Sequence, residues 1–124
     1  MPFLTLLTSL SRSQLPSNVM PLLSAHVAKV LNKPPAAINW VLETDKVMSK
    51  GHDNEGKPFT WLKVESIGVF AEADNCKKFT PLIFDFFTKE LKMPQDQVLV
   101  TLYDLEAFRV GKDSMTMEEL RVKK

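Results

Sequence analysis

Helical and strand periods alternate along the chain, and the switches between them outline its elements. Residues 3 to 9 form the apolar run Phe3-Leu4-Thr5-Leu6-Leu7-Thr8-Ser9, of the length expected for a buried strand. Val19, Leu22, Leu23, His26, Val27, Val30 and Leu31 then recur at helical spacing. An N-cap at Asn18 puts Pro21 at N3, where its missing N–H has no intrahelical partner; a cap at Ser17 would put it at N4 and lose a bond. Asn32-Lys33-Pro34-Pro35 stops this helix, and Ile38 to Leu42 reads as a strand. The polar, glycine-containing stretch 49 to 58 is an exposed loop, Phe59 to Ile67 a strand, and Gly68 a turn. A second long helix is predicted from Asp74 to Lys92, with Pro81 kinking it or starting its main segment after Thr80, and then a strand from Gln97 to Tyr103.

The halves repeat. A shift of 60 positions sets Pro21 on Pro81, Leu22 and Leu23 on Leu82 and Ile83, Leu31 on Leu91, Pro34 on Pro94, Ile38 on Val98 and Leu42 on Leu102, with strand 3 to 9 falling on 63 to 69. The fold class expected is α+β. Two β-α-β units pair into a four-stranded sheet with both helices on one face, in a single domain spanning 1 to 124. With only two helices available, the other sheet face calls for self-association.

The 124 residues suit one core, and 16 basic against 15 acidic residues leave a net charge of +1, with no footprint for nucleic acid or an anionic membrane. A single cysteine, Cys76, excludes an internal disulfide, and two scattered histidines, His26 and His52, argue against a metal centre. The N-terminus lacks a basic leader and no apolar stretch is long enough to span a bilayer, so a cytosolic protein is expected.

Several motifs carry a resemblance. Met1-Pro2-Phe3-Leu4, Lys33-Pro34, Ser66-Ile67-Gly68-Val69, Thr88-Lys89-Glu90-Leu91, Leu105-Glu106 and Val110-Gly111-Lys112 together resemble the D-dopachrome tautomerase branch of the macrophage migration inhibitory factor family, in the tautomerase superfamily. The resemblance spans nearly the whole chain and is weaker to the migration inhibitory factors themselves. It implies the tautomerase fold as a homotrimer with active sites between subunits, and a cofactor-independent enzyme acting on small aromatic keto acids, with or without loss of CO2. It implies Pro2 as the catalytic base, Lys33 facing the substrate carboxylate, and the Ser66-Ile67 backbone holding the keto or enol oxygen. Leu99, Val110 and Lys112 would line the pocket, along with Ala37 and Met117. The cysteine pair of the migration inhibitory factors falls here on Phe59 and Leu62. The alternative it implies is a cytokine, exported without a signal peptide, whose trimer engages a cell-surface receptor.

Elementary chemistry supports the base and keeps a plainer reading beside it. A small second residue favours removal of Met1, which would leave the Pro2 nitrogen a secondary amine. Burial in an apolar pocket and a nearby ammonium both lower its pKa, freeing it to accept a proton near pH 7. Otherwise, Pro2 simply opens a strand where no donor is needed. Lys33, at a helix end, complements the macrodipole in either case. His26 reads as a packed histidine, His52 as a loop residue, Cys76 as a free thiol, and Phe79, Ile83, Phe84, Phe86 and Phe87 as core. Glu118 to Lys124 reads as a charged tail.

Overall fold

The computed structural model describes residues 1–51 and 56–122. Strands β1 (Phe3–Thr8), β2 (Asn39–Glu43), β3 (Thr60–Ile67) and β4 (Val98–Leu105) form one sheet in the order β2-β1-β3-β4. β1 runs parallel to β2 and β3 parallel to β4, while the central pair β1 and β3 is antiparallel. Each half is therefore a parallel β-α-β unit, and the halves join edge to edge as the repeat implies.

Helix α1 (Val19–Leu31) begins after Asn18, as the placement of Pro21 requires, although the Asn18 side chain makes no capping bond. Leu22 N–H donates the first helical bond, to the Asn18 carbonyl at 3.0 Å. The helix closes on Asn32 in the left-handed region (φ 54°), and Lys33 N–H reaches back to the Ala28 carbonyl at 2.9 Å.

Helix α2 (Ala73–Asp85) holds Pro81 inside it, so of the two expectations for this proline the one that starts the main segment after Thr80 falls away. The Thr80 hydroxyl donates to the Cys76 carbonyl at 2.7 Å in the turn that Pro81 interrupts. The helix then widens into a π turn, Phe86–Glu90, with Leu91 N–H on the Phe86 carbonyl at 3.3 Å.

Strand periodicity sets the layers. Leu4, Leu6, Leu62 and Val64 point to the helices and are buried with Val19, Leu23, Val27, Ile83, Phe86 and Phe87. Val41, Leu99 and Tyr103 are 51%, 44% and 42% exposed, so apolar surface is left open on the sheet. His26 packs as expected: its ring lies 5.6 Å from Phe86, and Nε2 sits 2.6 Å from the Leu82 carbonyl. Cys76 is a half-buried free thiol whose Sγ approaches the Phe70 carbonyl at 3.6 Å. His52 lies outside the described residues.

Up to Val122, the charged tail is instead a folded element. Hairpin strands β5 (Gly111–Lys112) and β6 (Met115–Thr116) lead into a third helix, α3 (Met117–Val122). Thr116 and Glu119 form its capping box: Glu119 N–H donates to Thr116 Oγ1 and Thr116 N–H to Glu119 Oε1, each at 3.1 Å.

The strand register also refines the repeat. Phe3 pairs with Asn39, and Trp61 pairs with Leu99. Phe3 therefore corresponds to Trp61 rather than to Lys63, so Pro2 corresponds to Thr60 and Thr8 to Ser66. The helix exits keep the longer shift, because the second half has two more residues between its strand and its helix exit.

Candidate functional site

Pro2 is buried just ahead of β1, on the helix-facing side with Leu4 and Leu6. Its carbonyl accepts the Asn39 N–H at 3.0 Å, which anchors it to β2. Phe3 lies opposite Glu65 in the antiparallel pair, and one further step of that register sets Pro2 opposite Ser66. Ser66 is fully buried, and its hydroxyl is one of the few buried side-chain atoms without a hydrogen-bond partner. Ile67, 5% exposed, follows it before Gly68 turns the chain with φ 73°.

Lys33 comes to the same end. The α1 exit holds it half-buried, and its ammonium bears on the chain terminus. The Met1 ammonium is held below its ordinary pKa first by burial, then by Lys33, then by Arg121. Pro2, Lys33, Ser66 and Ile67, all expected from the sequence, thus gather at one end of the β1–β3 pair.

Arg121 was not expected. Its α3 is placed by the β5–β6 hairpin, and the spacing Thr116-Met117-Glu118-Glu119 is the sequence signal that could have revealed that helix. Its proximity to Met1 is long-range and has no local signature.

The remaining residues spread out. Val110 accepts the Met117 N–H at 2.8 Å, and Lys112 is exposed opposite Met115, so both belong to the hairpin that carries α3. Ala37 sits in the 3-10 turn Pro35–Ala37, just beyond Lys33. Leu99 lies opposite Trp61, toward the other end of the sheet, and is not brought to Pro2 within one chain.

Among the described residues, no group of three or more His, Cys, Asp or Glu side chains is placed to hold a metal ion, and no helix is long and apolar enough to cross a membrane. Chemically, the end of the sheet offers a chain terminus in an amine-neutralising environment, flanking cations and a buried hydroxyl with spare hydrogen-bonding capacity.

The chain is similar to known proteins along nearly its whole length. A family model described as macrophage migration inhibitory factor matches residues 1–118. D-dopachrome decarboxylase-B of Xenopus laevis is 32% identical over 117 residues, covering 94% of this chain and 98% of that protein. A macrophage migration inhibitory factor of the same frog is 32% identical over 116 residues, covering 94% and 98%. The structure of the macrophage migration inhibitory factor from Trichinella spiralis matches with a TM-score of 0.81 at 24% identity, over 92% of this chain and 98% of that one.

Proposed function

The chain belongs to the macrophage migration inhibitory factor family, and from that premise we propose that it is a tautomerase that uses its Pro2 nitrogen as general base on small aromatic keto acids of the D-dopachrome or phenylpyruvate kind. The observation that carries this reading is the placement of buried Pro2 opposite the unpaired Ser66 hydroxyl, at a terminus where burial and Lys33 disfavour an ammonium.

With Met1 attached, the Pro2 nitrogen is a tertiary amide and cannot take up a proton. Removal of Met1 moves the terminus onto that nitrogen, leaving a secondary amine with one N–H and one lone pair. The burial and the two cations that lower the Met1 ammonium's pKa would act on this amine too and favour its free base. Ser66 Oγ, free of other partners, would accept the amine N–H and leave the lone pair directed at the substrate.

The reaction moves one proton from carbon to oxygen. Pro2 takes the proton from the carbon next to the keto group, and the electron pair passes to the carbonyl oxygen. The Ser66-Ile67 backbone would hold the developing enolate, which takes up a proton to give the enol. Lys33 would pair with the substrate carboxylate and fix the reacting carbon at Pro2. No electrons leave the substrate, so the cycle needs no cofactor. Where the substrate bears a labile carboxylate, loss of CO2 leaves the same enolate-like anion at the same place.

Leu99 would reach a Pro2 site only from a second copy of the chain. The open apolar positions on the sheet supply a reason for copies to associate, and a homotrimer with Leu99, Val110 and Lys112 walling shared sites fits both facts.

The test is intact mass together with rate. Protein lacking Met1 should convert phenylpyruvate or D-dopachrome, and protein shown by mass spectrometry to keep Met1 should fold and be inactive. Equal turnover by both forms would make Pro2 only the first residue of a strand.

A further inference from the structure

The repeat builds a second cleft at the opposite end of the sheet, and it is not the site described above. Its volume is about 890 Å³, and its lining includes Leu10, Leu15, Thr60, Leu91, Met93 and Gln97. That size is in the range of small-molecule sites.

Its parts correspond to those around Pro2. α1 exits through Asn32 at φ 54°, and the α2 segment exits through Lys92 at φ 57°. The 3-10 turn Pro35–Ala37 follows the first exit and Gln95–Gln97 the second. Thr60 stands where Pro2 stands, and Thr8 where Ser66 stands, by the strand register.

The chemistry differs at each of these places. Met93 stands where Lys33 stands, and the ammonium at this exit belongs to Lys92, with Glu90 also on the lining. Thr60 lies within the chain and offers no amine, and its hydroxyl is already 2.9 Å from that of Thr8. Lys57 and Lys92 on the lining are offset by Glu90 and Asp96. The cleft therefore pairs an apolar part with a polar rim whose charges balance, and has no amine in Pro2's place.

Gln97 adds a polar contact. Its Oε1 is buried without a hydrogen-bond partner. Turning that amide into the cleft gives up no hydrogen bond, and a bound donor would gain one. The wall itself is unusual, because the π turn Phe86–Glu90 ends on it, and such turns concentrate at functional sites.

We propose that this cleft is a second, non-catalytic binding site, selective for small uncharged aromatic molecules that carry one hydrogen-bond donor. It rests on the repeat and the cleft, not on activity at Pro2.

The test is an amide NMR titration of the full chain with indole, 1-methylindole and indole-3-carboxylate. Indole should shift the resonances of Lys92, Met93 and Gln97 saturably. 1-Methylindole, lacking the donor, should bind about tenfold more weakly, the loss of one hydrogen bond. Indole-3-carboxylate should bind the cleft no better than indole, whatever it does at Lys33. Gln97→Leu should abolish the preference for indole over 1-methylindole and leave turnover unchanged. Absence of saturable shifts at Lys92, Met93 and Gln97 in the unsubstituted protein overturns the proposal, as does a preference that survives in Gln97→Leu. Failure of turnover with cleft binding intact would instead count against the Pro2 reading.

Discussion

The hydroxyl oxygens of Thr8 and Thr60 face each other at 2.9 Å across β1 and β3, whereas the corresponding pair at the other end of the same strands is Ser66 and Pro2. There the Ser66 hydroxyl, equally buried, has no partner. A buried hydroxyl left unpaired costs stability, while a paired one contributes. Ser66→Ala should therefore leave the free energy of urea unfolding unchanged or raise it by up to about 1 kcal/mol, and Thr60→Val should lower it by about 1 kcal/mol or more. If Ser66 orients the processed Pro2 amine, Ser66→Ala should also lower kcat/KM about tenfold. A Ser66→Ala protein that is destabilised and fully active would mark the hydroxyl as purely structural.

Lys33 offers a sharper contrast between substrates. Lys33→Ala should weaken kcat/KM for keto acids by about 1.5 to 3 kcal/mol, the range for hydrogen bonds to charged groups, and cost their esters little. Equal losses for acid and ester would show that Lys33 serves only the helix end.

The terminal amine predicts a pH dependence. The Met1 ammonium is held below its ordinary pKa by burial, then Lys33, then Arg121, and the same surroundings would act on a processed Pro2 amine. Activity requires the free base, so kcat/KM rises with pH through the lowered pKa and levels off above it. Removing a neighbouring cation eases protonation and raises that pKa. Arg121→Gln should therefore move the rising limb to higher pH without lowering its plateau. Thr116→Ala, which breaks the capping box of α3, should shift the limb in the same direction by loosening Arg121. A limb that stays in place in both variants would remove Arg121 from the site.

Assembly gives the fourth expectation. Static light scattering at micromolar concentration should report a mass three times that of the chain. Val41→Glu, which puts a charge on a position that is 51% exposed in one copy, should shift the mass toward monomer and lower activity with it. A stable, active monomer would show that each chain completes its own site.

Local pattern was enough for much of this molecule. The periodicity of Val19 to Leu31 and the position of Pro21 placed α1 to the residue, because proline's missing donor is a constraint on its own helix. The shift that aligns the two halves predicted the paired β-α-β units, because each half must bury the same kind of apolar face. Pro2, Lys33, Ser66 and Ile67 stood out through a motif resemblance, and the chain brings them to one end of the sheet.

Tertiary structure decided what depends on neighbours distant in sequence. Of the two readings of Pro81, the structure chose a helix that runs through it, because the first turns begin well ahead of the proline and the packed face outweighs one lost bond. The pairing register, set by which side chains meet across strands, moved the β1 equivalence to Trp61 and so put Thr60 in Pro2's place. It also sent Leu99 to the far end of the sheet, while the β5–β6 hairpin carried Arg121 to the N-terminus. Periodicity tells which face of an element is buried; only sheet order, register and chain reversal determine which ends of different elements meet, and sites are made where those ends meet.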